Sequence, residues 1–287
     1  MFLADGAAPE AVWEFHPHFD VWIVFGLIAI GYVVAVRRWV PPDPEGRPGT
    51  TQVRTLSFFT GLSIMWIAAD WPIHDLAENY LFSVHMVQHT LFSLVAPPLI
   101  LLGLPAPLLR RLMGPFMGPL RFMTKPLIAL ALFNIVIVVT HWPPVVDLSV
   151  TNEPAHFGLH LLLVFSSLVM WWVVVTPLPE LGGPTPPGKM LFLFGQSIVP
   201  TVPASFLTFA SAPIYDAYAR APRLWGISAV TDQMVAGLIM KIGGGLLLWS
   251  VIALLFFKWY SSEQKPQTEE MPWGDFEREL EVWDLRK

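Results

Sequence analysis

Long apolar runs separated by short polar connections constrain this chain more than any single motif. Seven segments, 21–38, 55–71, 80–102, 125–141, 156–176, 189–211 and 233–258, are apolar over close to the length of a membrane crossing; a helix needs about 20 residues to span roughly 30 Å of hydrocarbon. Backbone amides at that depth find no water, so each segment must close its own hydrogen bonds as a helix. Strand-length alternation is absent, which argues against a barrel. Of the 287 residues, 54% are hydrophobic and 14% charged, with a mean hydropathy of +0.55, the composition of an integral membrane protein. The expected fold is therefore all-α, a polytopic bundle of seven transmembrane helices. Pro97 with Pro98 in the third segment, and Pro200 with Pro203 in the sixth, predict kinks or breaks.

Charge sets the expected orientation. Arg37, Arg38, Arg47 and Arg54 follow the first segment, Arg110, Arg111, Arg121 and Lys125 the third, and Lys189 the fifth, whereas the opposite side holds only Arg220 and Arg223. Under the positive-inside bias, the N-terminus is outside and the C-terminus inside. The division that follows is an outer N-terminal segment 1–20, a transmembrane domain 21–258, and a cytoplasmic linker with an amphipathic tail helix over 259–287. In that tail Trp273, Phe276, Leu280 and Trp283 recur at helical spacing among acidic residues, a pattern suited to a protein surface rather than to anionic lipid. The start lacks a basic region before its first apolar run, so the first segment reads as an uncleaved anchor. A net charge of -5 with few Lys and Arg excludes nucleic acid as a partner. Cysteine is absent, which excludes disulfides, thiolate zinc sites and iron–sulfur clusters.

With that orientation, all eight histidines fall on or near the outer face: His16, His18, His74, His85, His89, His141, His156 and His160. Two segments that run in the same direction open with H-x-x-x-H, "HMVQH" at 85–89 and "HFGLH" at 156–160. Residues at i and i+4 share a helix face, about 6 Å apart along the axis. If the two helices are neighbours, four imidazoles converge at one depth, which suits a tetrahedral or square-planar metal or a close metal pair. The competing reading is hydrogen bonding between helices. Histidine inside lipid is costly, though, and is usually functional.

Other polar residues fall near the same level. Asp70 could fix the tautomer of a ligand histidine, and Asp75 with Glu78 could instead cap the third segment. Asp232 and Gln233 open the seventh segment, where Thr231 or Asp232 could serve as the N-cap. Met86 lies between two histidines and offers a thioether for Cu(I), although i,i+1 geometry turns it off the His85 face and core packing is the stronger reading. Lys241 is the one basic residue well inside a segment. It is expected to face the bundle and pair with a carboxylate or with carbonyls freed by Pro200 and Pro203, while Gly243, Gly244 and Gly245 permit close helix approach.

The run "DWPIHDLAENYLFSVHMVQHTLFSLVAPPLILLGLP" (70–105), with "THWPPVVDLS" (140–149), "HFGLH" and "TDQMVAGLIMK" (231–241), resembles the multi-helix CtaG family of cytochrome c oxidase assembly factors over roughly residues 55–258. The resemblance implies a bacterial plasma-membrane protein that matures haem-copper oxidase by holding or delivering copper on the outer, periplasmic side. Its partners would be oxidase subunits or other assembly factors within the lipid bilayer. The matching positions are Asp70, His74, His85, Gln88, His89, His141, His156, His160, Asp232 and Gln233. The expected ligands are His85, His89, His156 and His160, with His74, His141 and Met86 as additional ones. Asp70, Gln88, Asp232, Gln233 and Lys241 would lie behind them, and the protein would not be an enzyme.

Three rivals remain open at this point. A seven-span zinc hydrolase of lipid amides would use about three histidines, a metal-bound water and a carboxylate base such as Asp70 or Asp232, with Ser83 nearby. A b-type haem protein would pair single histidines on facing helices, and doubled i,i+4 pairs fit that less well. A copper or proton transporter would use Lys241 and the broken sixth segment.

Overall fold

The structure, a computed structural model, describes residues 13–42 and 49–264 together with residues 274, 277 and 278. Arg47 and the aromatic stripe Trp273, Phe276, Leu280 and Trp283 lie outside the described residues. In chain order the helices are α1 (Phe19–Trp39), α2 (Gln52–Ala69), α3 (Ile73–Asn79), α4 (Phe82–Gly103), α5 (Ala106–Met123), α6 (Pro126–Thr140), α7 (Pro143–Thr151), α8 (Glu153–Val175), α9 (Pro186–Phe209), α10 (Asp216–Arg220) and α11 (Ala229–Glu263). No strand occurs among the described residues. The fold is all-helical, as the apolar runs require.

Five helices, α1, α4, α8, α9 and α11, are individually long and apolar enough to cross a membrane. The number reaches seven if α2 with α3, bent by 43°, and α5 with α6, bent by 88°, each count as one span. The expected fourth span is the weakest, because α6 alone has 15 residues. Exposed Leu, Ile, Val and Phe side chains cover the outside of α1, α8, α9 and α11, the surface that a lipid solvent leaves unburied.

At the prolines of α4 the helix is irregular but not interrupted. It widens into a π turn at Leu91–Val95 and continues to Gly103. Pro97 lacks the amide that would bond the Ser93 carbonyl. The indole Nε1 of Trp171 on α8 donates to that oxygen at 2.9 Å, taking the place of the missing amide. A second π turn, Ile239–Gly243, interrupts α11. In α9 the chain makes a turn at Val199–Pro200 and then resumes, the break expected there.

Helix α2 packs along the second half of α4, α8 lies between α4 and α6, and α11 packs on α9 and on the first half of α4. The α2–α4 contact is backbone-close, because a Cβ at Gly103 would come within 2.5 Å of Phe58. The tight crossing of α11 is at Gly237, where a Cβ would meet Thr208 Oγ1 at 2.5 Å. In the run Gly243 to Gly245 the approach is looser: a Cβ at Gly244 would come to 3.4 Å from Leu94 Cδ1 of α4, and one at Gly245 would meet nothing within 4 Å.

The two helix caps also differ from expectation. Asp75 and Glu78 do not cap α4. Its N-cap residue Leu81 supplies no capping side chain, and Asp232 of α11 accepts from the amides of Phe82 at 2.7 Å and Ser83 at 3.0 Å. A carboxylate there satisfies two orphan donors and the positive end of the helix dipole. Ser228, rather than Thr231 or Asp232, caps α11 by accepting from the Thr231 amide.

Candidate metal centre

Helical spacing gives each histidine pair one face, and the packing of α4 on α8 turns those faces together. The ring centroids of His85 and His89 are 4.3 Å apart on α4, and those of His156 and His160 are 4.2 Å apart on α8. Across the interface His89 Nε2 lies 3.1 Å from His160 Nε2, and the His85 ring stacks on His160 at 5.7 Å. One ring nitrogen from each of His85, His89 and His160 falls within 4.8 Å of the others. Ligands about 2.0 Å from a tetrahedral ion are ~3.3 Å apart, so the His89–His160 pair already has that spacing and His85 requires a small rotation.

Nitrogen lone pairs are available at this point of the bundle. His85 Nδ1, His89 Nδ1 and His141 Nε2 are buried without a hydrogen-bond partner. His141 Nδ1 lies 2.7 Å from the Ile137 carbonyl. A carbonyl only accepts, so Nδ1 carries the proton and Nε2 presents its lone pair. That is how metal-ligating histidines are usually held. The His141 ring is 6.0 Å from His89, next to the three-histidine group.

The fourth expected ligand is held differently. His156 Nε2 lies 2.7 Å from Glu78 Oε1, and its Nδ1 lies 3.1 Å from Ser149 Oγ. His74 Nε2 is 3.1 Å from the same Glu78 oxygen. Gln88, fully buried, donates to the Ala68 carbonyl at 2.7 Å and sits 3.4 Å from His74 Nδ1. His74 and His156 thus flank a carboxylate, while His85, His89 and His160 face one another. Glu78 is the acidic neighbour of the cluster. Its position four residues after His74 could have revealed it, because that spacing shares a helix face.

Asp70 is placed elsewhere. It accepts from the Trp22 indole at 2.5 Å and from the His18 amide at 3.3 Å, tying the start of α1 to the end of α2. Met86 turns away from the His85 face into a cluster with Phe82, Val146 and Tyr215. Gln233 accepts from the Ile214 amide at 2.6 Å and donates to the carbonyls of Leu207 and Ala212, so it braces the connection after α9. In that connection Tyr215 donates to the His141 carbonyl and Tyr218 to the Ala77 carbonyl, both at 2.9 Å. Burial pushes both phenols upward, which keeps them neutral donors.

Below the histidines lies a cavity of about 60 Å³ bordered by His89, His141, Met86, Gln196, Met240 and Lys241. Gln196 accepts from Asn134 at 2.7 Å, and its own amide nitrogen is buried without a partner. Lys241 has neither of the partners expected for it. Its Nζ is 3.4 Å from Ser205 Oγ and 5.6 Å from the Phe209 ring centroid. Gly244 and Gly245 also border this space, which explains why a Cβ at Gly245 would meet no neighbour.

The family model described as cytochrome c oxidase caa3 assembly factor matches residues 30–262. No curated protein and no solved structure matches the chain.

Proposed function

Because this chain belongs to the cytochrome c oxidase caa3 assembly factor family, we propose that it serves oxidase maturation by holding a copper ion on His85, His89 and His160, with His141 as the fourth ligand. The observation that carries this reading is the convergence of one ring nitrogen from each of His85, His89 and His160 within 4.8 Å, beside His85 Nδ1, His89 Nδ1 and His141 Nε2, which are buried without a partner. Imidazole binds copper and zinc alike, and without thiolate or carboxylate in the inner set the ion stays exchangeable, as delivery to an oxidase subunit demands. In this reading the bundle crosses the bacterial plasma membrane seven times, and the histidine end faces outward.

A catalytic zinc site is less well supported. The carboxylates expected to act as its base on a metal-bound water are committed elsewhere, Asp232 to the amides of Phe82 and Ser83 and Asp70 to Trp22 and His18, and Glu78, the acid beside the cluster, lies against His74 and His156. Ser83 contributes its backbone to that cap.

Elemental analysis of protein purified from its native membrane tests the proposal. Copper is expected in the wild type and absent after His85→Ala with His89→Ala. Copper and zinc at background in the wild type, or copper retained by the double variant, would refute it.

A further inference from the structure

Four histidines of falling exposure form a path that ends at His156, next to the three-histidine centre, where His85 is buried and His89 and His160 are partly buried. His16 has 60% of its side chain exposed, His18 29%, His74 24% and His156 9%. Two carboxylates punctuate the series. Asp75 has His18 Nε2 at 2.9 Å and His16 Nδ1 at 3.7 Å. Glu78 has His74 Nε2 at 3.1 Å and His156 Nε2 at 2.7 Å. Both acids belong to α3, three residues apart and so on neighbouring positions of one face.

The gaps between the stations are short. The His18 and His74 rings are 4.9 Å apart, and the His156 and His160 rings 4.2 Å. We propose that metal cations reach the three-histidine centre from the exposed rim through two carboxylate–imidazole stations, His16–His18–Asp75 and then His74–Glu78–His156. The proposal rests on the copper-holding reading above and adds the way in.

Physical chemistry favours this direction over the other side of the centre. A cation leaving water loses several kcal/mol of hydration per charge even after relaxation, and a carboxylate at each step offsets that loss. Two imidazoles and one carboxylate make a complete but replaceable ligand set for a divalent transition ion. The opposite approach, through the cavity, runs past the Lys241 ammonium, which repels a cation. The two stations also account for Asp75 and Glu78, acids that cap no helix here and that the three-histidine centre does not itself use.

Loading kinetics of the full-length protein in detergent test the route. Metal-free protein is mixed with Cu(II), quenched with EDTA at increasing times, desalted, and its bound copper measured. His18→Ala and Asp75→Asn are expected to slow loading by ~10-fold or more, the scale on which charged funnels change association rates, with the final copper content unchanged. Asp75→Glu is expected to restore the rate, and Lys241→Met to leave it at the wild-type value. Wild-type uptake with unaltered rates in His18→Ala and Asp75→Asn overturns the route and leaves the copper reading standing. A lowered final content at an unaltered rate overturns it too, because those residues would then be holding the ion or the fold. Wild-type protein that takes up no copper removes the copper reading and the route together.

Discussion

Asp232 accepts the backbone amide of Phe82 at 2.7 Å across 150 residues of sequence. Phe82 is the first residue of α4, and His85 and His89 follow on its next two turns. One carboxylate from the last span therefore sets where the first histidine pair begins. The positive end of the α4 dipole and two amides with no helical partner meet a negative charge that is 2% exposed.

Replacing Asp232 by Ala leaves those two amides without their acceptor. Each buried unsatisfied donor costs about 1–3 kcal/mol, so Asp232→Ala is expected to lower the unfolding midpoint in detergent clearly. Asp232→Asn keeps an acceptor and is expected to lose less. Equal midpoints for Ala and wild type would mean that the cap contributes nothing.

Trp171 and Ser93 make a second cross-helix bond with a consequence for stability. The Ser93 carbonyl is free because Pro97 has no amide, and the Trp171 indole fills the place. Trp171→Phe keeps an aromatic ring but leaves the oxygen bare, an expected loss of about 1–3 kcal/mol. Pro97→Ala supplies an amide near that oxygen, so it is expected to return part of the loss when added to Trp171→Phe. A thermal denaturation cycle over the four proteins reads the coupling, and strict additivity would show that the two donors do not compete for Ser93.

What could be read from the sequence is what periodicity governs. Apolar run length gave the helices, and the i,i+4 spacing put His85 with His89 and His156 with His160 before any contact was known. Tertiary pairings carry no such period. Asp232 looked like a cap for its own helix, because nothing local says that it reaches Phe82. Asp70 sits in the same short stretch as His74, yet its partners are Trp22 and His18 on another helix. For Glu78 the D-x-x-E pattern fits a cap, and its spacing from His74 fits a shared face equally. The π turns were hidden because the prolines that suggested a kink in α4 say nothing of a neighbouring indole ready to replace the lost bond.

Close backbone packing gives a third test. Gly103 faces Phe58 so closely that a methyl group would sit 2.5 Å from its Cβ and amide nitrogen. Backbone atoms cannot rotate aside, so Gly103→Ala must push α2 away from α4. Overpacking of this kind costs about 1–3 kcal/mol. The expected result is a lower unfolding midpoint, with Gly118→Ala as the comparison, since a Cβ there meets nothing within 4 Å. Equal midpoints for the two would contradict the α2–α4 contact.

Metal linkage separates the histidines by role. An ion that binds only the folded state stabilises it by about 2.7 kcal/mol when present at 100 times its Kd, so copper is expected to raise the unfolding midpoint of the wild type. His160 contributes a nitrogen 3.1 Å from His89 Nε2, and His160→Ala is expected to abolish most of the rise. His156 has Glu78 at 2.7 Å and Ser149 at 3.1 Å on its two nitrogens, and at equilibrium His156→Ala is expected to keep the rise even where it loads slowly. A rise lost in His156→Ala but kept in His160→Ala would move the ion to the Glu78 side of the cluster, and the ligand set would have to be redrawn around that carboxylate.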